Sequence, residues 1–236
     1  MKLLDRRTFL AAGAATAVGL HRPIAFAAPP QQVWTFDNLQ RIGARPVRLE
    51  GQPKLVPSPW GNALAFDGRD DALFIDDHPL AGAATFTFEA VFRPDGGAFE
   101  QRWFHLESDE QPPVAPGKSS TRMLFEIRVV EDSWYLDAFT RGPGYNQTLV
   151  VAEKRFPIGR WYHVAQTYDG EKYRSYVNAE LQAETPIAFK AQGAGRASIG
   201  TRMNRVSYFN GAVREARFTH APLRPAEFSL PQDHEG

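Results

Sequence analysis

The chain has 236 residues, is 43% hydrophobic and 23% charged, and carries no formal net charge. That composition can bury a core and excludes wholesale disorder, and the balanced charge offers no basic surplus for nucleic acid. Cysteine is absent, which excludes disulfides, thiolate metal sites and cysteine nucleophiles.

Residues 1–27 read as an address rather than as structure. A charged start is followed by an uncharged run from Phe9 to Leu20, too short to span a bilayer, which takes about 20 residues. Ala25-Phe26-Ala27 supplies a small-x-small cleavage pattern. Arg6-Arg7 followed by Thr8-Phe9-Leu10 resembles a twin-arginine export signal, with an ordinary secretory signal as the alternative. Cleavage after Ala27 removes Lys2, Arg6, Arg7, Arg22 and Asp5 and leaves residues 28–236 with a net charge of −3. No other apolar run is long enough to anchor the chain in a membrane. A periplasmic or secreted protein is expected.

Beyond residue 27, period-two segments separated by Gly, Pro, Asp and Asn clusters predict strands. In chain order these are 33–37, 63–66, 73–75 and 85–92. The last places Phe86, Phe88, Ala90 and Phe92 on one face and ends at Arg93-Pro94-Asp95-Gly96-Gly97. Strands at 103–106, 123–130, 134–140, 148–151, 161–168, 172–177, 197–199 and 209–218 follow. Residues 45–59, with four prolines, read as an irregular connection, and Pro225 is set for one helical turn. About a dozen short strands are the signature of an all-β, two-sheet antiparallel sandwich. A single domain over 28–236 is expected, with its core at about 33–229.

Three segments carry a resemblance. The first is Ala63-Leu64-Ala65-Phe66-Asp67-Gly68 with Phe86 to Pro94. The second is Gly159-Arg160-Trp161-Tyr162-His163-Val164-Ala165, running to Tyr168-Asp169-Gly170 and Tyr176-Val177-Asn178. The third is Ile199-Gly200, Phe209 to Arg217, and Leu223 to Phe228. Together they resemble the laminin-G and concanavalin A-like lectin/glucanase family of jelly-roll sandwiches. The resemblance implies that Trp161 and Val164 fill the core and that Gly170 and Gly211 serve turns. Asn178-Ala179 stands where the family has Asp-Gly, and Ala resists positive φ. A wider hairpin or another turn type is therefore predicted there.

The family implies glycan binding, adhesion to proteins or, in some relatives, glycoside cleavage. A glycosidase needs paired carboxylates about 5 to 10 Å apart. The closest match to the related glucanases' strand motif, Glu107-Ser108-Asp109-Glu110, lacks the apolar spacer and the final Glu. Glu89 and Glu126 sit mid-strand and read as solvent-face carboxylates. The six histidines have no zinc spacing. Relatives imply calcium, a hard cation suited to loop carboxylates; Asp109 and Glu110 are the candidate ligands, with Asp70 and Asp71 beside them. A sugar site needs an aromatic platform and planar polar groups. Tyr145, Asn146 and Arg141 in the 141–147 loop, and Trp60, are the candidates.

These readings converge on an exported, non-catalytic module binding a polysaccharide or other glycan. The alternatives are a glycoside hydrolase-like enzyme on the same fold and a module that binds an exported partner protein.

Overall fold

The computed structural model describes residues 28–109 and 121–229. The predicted export signal and Glu110 lie outside these residues. In chain order the strands are β1 (Gln31–Thr35), β2 (Arg41–Ile42), β3 (Arg45–Pro46), β4 (Arg48–Glu50), β5 (Lys54–Ser58) and β6 (Gly61–Asp67). Next come β7 (Ala72–Ile75), β8 (Phe86–Pro94), β9 (Glu100–Ser108), β10 (Arg122–Val130), β11 (Ser133–Gly142) and β12 (Tyr145–Val150). The last are β13 (Phe156–Pro157), β14 (Tyr162–Tyr168), β15 (Lys172–Val177), β16 (Glu180–Pro186), β17 (Gly195–Ile199) and β18 (Asn210–Thr219). A 3-10 turn at Pro225–Glu227 follows, started by the proline.

Sheet I runs β16-β15-β14-β8-β18-β6-β5, with β1 also beside β18. Sheet II runs β12-β11-β10-β9-β17-β7-β4, with β13 beside β11. Alternation sorts the residues between faces. Phe86, Phe88, Ala90 and Phe92 of β8 all enter the core, as the sequence predicts. Met123, Phe125 and Ile127 of β10, and Trp134, Leu136 and Ala138 of β11, meet them from sheet II. Trp103 lies in a ring stack, 4.3 Å from Phe92 and 5.3 Å from Phe125. A bulge in β9 opposite Phe125 and Glu126 lets Trp103 and Phe104 both face inward. Strict alternation would have turned one of them out.

Four expectations are corrected. Residues 45–59 are not irregular: they form β3, β4 and β5, short edge strands in which proline is tolerated. The β15–β16 hairpin is a tight two-residue turn, with Asn178 and Ala179 at φ 48° and 64°. Asn178 holds it, donating its N–H to His163 O (2.8 Å) while its Oδ1 accepts from His163 N (3.0 Å). Trp161 is half-buried at the surface, edge-on to Trp60 at 6.0 Å, rather than in the core. Gly211 lies within β18, where a Cβ would come 2.2 Å from Arg93 O; it permits close strand approach.

The outer face of sheet I is covered by the segment after β18. Leu223 N donates to Thr87 Oγ1 (2.7 Å) and Ser229 N to Glu89 Oε1 (2.7 Å). Phe228 packs 5.2 Å from Tyr176 and 5.6 Å from His163. Glu89 is therefore a buried carboxylate, not a solvent-face one, 3.0 Å from His163 Nε2.

Candidate functional site

The outer face of sheet II presents polar side chains in cross-strand rows. Arg196 of β17 pairs with Glu107 of β9, Glu107 with Arg122 of β10, Arg122 with Arg141 of β11, and Arg141 with Asn146 of β12. Residues opposite one another on one face lie about 5 Å apart at Cβ, so these five form a continuous line. The next row holds Ser198, His105, Leu124, Phe139 and Thr148. Beyond it come Arg102, Glu126 and Asp137, then Glu100 and Arg128.

The two ends of this face differ in charge. At the far end Arg102 binds Glu100 (2.6 Å) and Glu126 (2.9 Å). Arg128 binds Asp137 (2.6 Å), Glu126 (3.3 Å) and Glu100 (3.4 Å). Three carboxylates thus share two guanidinium groups. Asp137 Oδ1 is buried with no hydrogen-bond partner among the described residues. Burial first, and then the Glu126 charge, push the Asp137 carboxyl up to about 6 despite Arg128. Glu126, expected on a solvated face, is 6% exposed because this network encloses it.

In the five-residue row arginine is in excess. Glu107 accepts from Arg196 Nη2 at 2.8 Å, and its other oxygen lies 4.0 Å from His105 Nε2. His105 Nδ1 accepts from Met203 N (2.9 Å), which assigns the proton of the neutral ring to Nε2. Burial pulls His105 well below its ordinary value, so it adds no charge near neutrality. Arg122 stacks its guanidinium 5.0 Å from the Phe139 centroid. Burial, with Arg202 and Arg141 nearby, pulls Arg122 down to about 10. Beside Arg196 a groove of about 450 Å³ is lined by Arg48, Phe74, Asp76, Met203 and Arg205.

Strand alternation divides the predicted sugar-binding set. Arg141 and Asn146 face outward as exposed partners. Residues 141–147, read as a loop, are strand on both sides of a Pro143-Gly144 turn, with Gly144 at φ 87°. Tyr145 points inward and is 7% exposed. Its ring lies 5.2 Å from Phe189 and its hydroxyl accepts from Gln192 Nε2 at 3.0 Å. Trp60 sits at the β5–β6 turn, on the opposite edge of the sandwich from β12.

Asp109 is exposed, its backbone N–H bound to Ala194 O (2.8 Å). The acidic group that can hold a metal ion is instead Asp67, Asp70 and Asp71, with ligand atoms within 4.8 Å of one another. Asp67 Oδ1 accepts from the N–H groups of Arg69, Asp70 and Asp71. Asp71 accepts from Gln52 N and Asp67 N. Burial first, then the neighbouring carboxylates, raise Asp71. Carboxylate oxygens suit a hard cation, and each retains lone pairs.

Residues 67–229 match the laminin G-type model of the concanavalin A-like lectin/glucanases superfamily. The chain belongs to that superfamily. No curated protein matches it in sequence. Among solved structures, it is similar to domain 4 of AbnA, an extracellular GH43 arabinanase from Geobacillus stearothermophilus, in complex with arabinotriose. The TM-score is 0.60 at 15% identity, covering 85% of this chain and 97% of that one. The binding domain of Paraclostridial Mosquitocidal Protein 1 gives 0.60 at 9% identity, over 83% of this chain and 50% of that one. A botulinum neurotoxin type C structure, described as entering cells through two ganglioside molecules, gives 0.57 at 10% identity, over 84% and 49%. The chain thus spans nearly all of the arabinanase domain and about half of each toxin chain. At these identities the likeness establishes the fold.

Proposed function

We propose that the protein is an exported glycan-binding module whose site is the outer face of sheet II. One observation carries this reading: the unbroken cross-strand line Arg196, Glu107, Arg122, Arg141 and Asn146, with the Phe139 ring in the adjoining row. Planar donors and acceptors satisfy sugar hydroxyls, and a ring face meets the apolar C–H face of a pyranose. The outer face of sheet I is covered by residues 220–229, whereas Arg141, Asn146 and Thr148 at the β11–β12 edge of sheet II are exposed. The arabinotriose and ganglioside ligands of the similar structures fit a glycan role.

Calcium at Asp67, Asp70 and Asp71 is the metal this reading admits. Export follows from the Arg6-Arg7 signal, and replacing both with Lys should hold the precursor inside the cell. The test of binding is retention of the full chain on a polysaccharide panel, with calcium and with chelator. Retention lost in Asn146→Ala supports the site. Retention on no glycan sinks the reading in favour of an exported protein partner.

A second reading rests on Glu126 and Asp137, cross-strand carboxylates on the same face with Asp137 raised to about 6. Such a pair serves glycoside cleavage when one member is protonated. Here Arg102 and Arg128 engage both carboxylates. Reducing sugar released by the parent but not by Glu126→Gln would favour this reading.

A further inference from the structure

The connection from β17 to β18 folds back over the outer face of sheet II, and a histidine ties it there. Met203 of this connection donates its N–H to His105 Nδ1 (2.9 Å), and its side chain packs on Phe74. Ser198 and His105 are buried beneath it, although alternation places both on the outer face. Ser198 pairs with Phe74 on one side and His105 on the other, and the row continues through Leu124 to Phe139. The turn therefore interrupts a cross-strand row that carries an aromatic ring at either side of it.

The tie depends on a neutral imidazole. Nδ1 accepts an N–H only while it carries no proton of its own. The Nε2 proton is buried with no acceptor among the described residues, 4.0 Å from Glu107. Burial first, and then the charges of Arg202, Arg122, His78 and Arg102, pull His105 well below its ordinary value. The carboxylates of the adjoining rows are engaged elsewhere, Glu107 by Arg196 and Glu126 by Arg102. The turn's other ties differ in kind. Arg205 pairs with Glu50 at the surface (2.6 Å). Its hydrogen bond holds the Glu50 carboxyl below the ordinary value, so this pair does not titrate above about pH 5. Ser198 Oγ donates to Thr201 O (2.8 Å) and Arg102 N to Ser207 O (2.9 Å), which fixes the two ends. Arg205 and Ser207 stand at φ 60°, a strained region for residues other than glycine, so the turn keeps its shape through these contacts.

We propose that residues 201–207 form a lid on the outer face of sheet II, latched by neutral His105, and that the lid opens as the solution is acidified. Opening brings His105 to water, where it takes up a proton near pH 6.5. In the closed lid the imidazole stays neutral. The closed state is therefore fully stable above about pH 6.5 and loses stability as pH falls below it. The open population rises about tenfold for each further pH unit, and about thirtyfold between pH 7.5 and pH 5.0. An open lid uncovers Ser198 and His105, which join Phe74 to Leu124 and Phe139 in one continuous row. The lid is independent of whether that face takes a glycan.

The experiment follows amide hydrogen exchange of the full chain by NMR from pH 7.5 to pH 5.0, with each rate compared with its intrinsic rate at that pH. The Met203 amide should be less protected than the β8 amides of Phe88 and Ala90 at every pH, because local opening releases it. Its protection should fall about thirtyfold across the range. His105→Gln keeps an acceptor oxygen for the Met203 N–H and takes up no proton. In that variant Met203 protection should change less than about threefold. His78 is a second buried histidine, on the β7–β8 connection and bonded to Gln192 (3.1 Å). His78→Gln should keep the thirtyfold fall.

Met203 protection equal to that of Phe88 would mean that the turn opens only with the whole fold, and it overturns the proposal. So does Met203 protection that is flat with pH, or that falls equally in His105→Gln. The ring nitrogen shifts of His105 give a second readout that needs no variant. They should show a neutral ring with its proton on Nε2 at pH 7.5 and at pH 6.0, and an imidazolium at pH 6.0 overturns the latch. The parent amides and these shifts keep the test decisive if His105→Gln fails to fold.

Discussion

Two charge clusters occupy one sheet face about four residues apart along β10, a separation of about 13 Å, and they are unbalanced in opposite directions. Around Arg102 and Arg128, three carboxylates share two guanidinium groups, and Asp137 rises to about 6. Around Arg122, arginines outnumber carboxylates among the described residues, and Arg122 falls to about 10. Arginine keeps its proton at neutral pH in both places, so the second shift measures an unfavourable site for a charge that stays. The first cluster closes on itself through short ion pairs. The second leaves Arg141 exposed and without an ion pair among the described residues, so the two clusters differ in how far they close on themselves.

The contrast is best attacked at Arg128. Arg128→Met leaves Asp137 without its closest cation and Glu126 with only Arg102. Removing one member of a buried pair should cost about 3 kcal/mol in denaturant-induced unfolding. A cost below about 1 kcal/mol would mean that the carboxylates reach water on their own.

Asp137 sharpens the comparison through pH. Its carboxyl rises from an ordinary 3.8 to about 6, so the folded state binds this proton more tightly than the unfolded state. Stability from this group is present at low pH and is lost as pH rises from about 4 through 6, by at most about 3 kcal/mol. Asp137→Asn should remove that dependence. The stability difference, variant minus parent, should rise with pH across this window and level off near pH 7. A parent and variant with parallel pH curves would show that Asp137 titrates normally.

Arg122→Gln is the smallest expected effect. It loses stacking on Phe139 but lifts repulsion from Arg141 and Arg202. Stability should stay within about 1 kcal/mol of the parent. A loss as large as that of Arg128→Met would erase the distinction between the clusters.

Much of this was legible from period-two alternation. Met123, Phe125, Ile127 and Val129 mark the inner face of β10. Arg122, Glu126 and Arg128 alternate with them, and Asp137, Phe139 and Arg141 do the same on β11. The outward charges were visible, but their pairing depends on register between strands, which a single strand does not encode. Tyr145 drew notice as a loop ring; its inward turn follows from the strand running to Gly142 and resuming at Tyr145. β16 escaped notice because it is an edge strand with mostly polar residues, Glu180–Pro186. The Asp67 loop was found only in part, since Asp67 read as a turn residue and its approach to Asp70 and Asp71 is a matter of loop closure.

The strand order of sheet I has a consequence for biosynthesis. β18 lies between β8 and β6 and also pairs β1, yet among the described strands it is the last to leave the ribosome. Until residue 219 is translated, β8, β6 and β1 each lack this partner, and the nascent chain exposes open edges of the kind that recruit chaperones or aggregate. Sheet I is therefore completed only once β18 has emerged. Nascent chains arrested before Asn210 should remain protease-sensitive, and chains long enough to free Thr219 from the ribosome should gain resistance in one cooperative step.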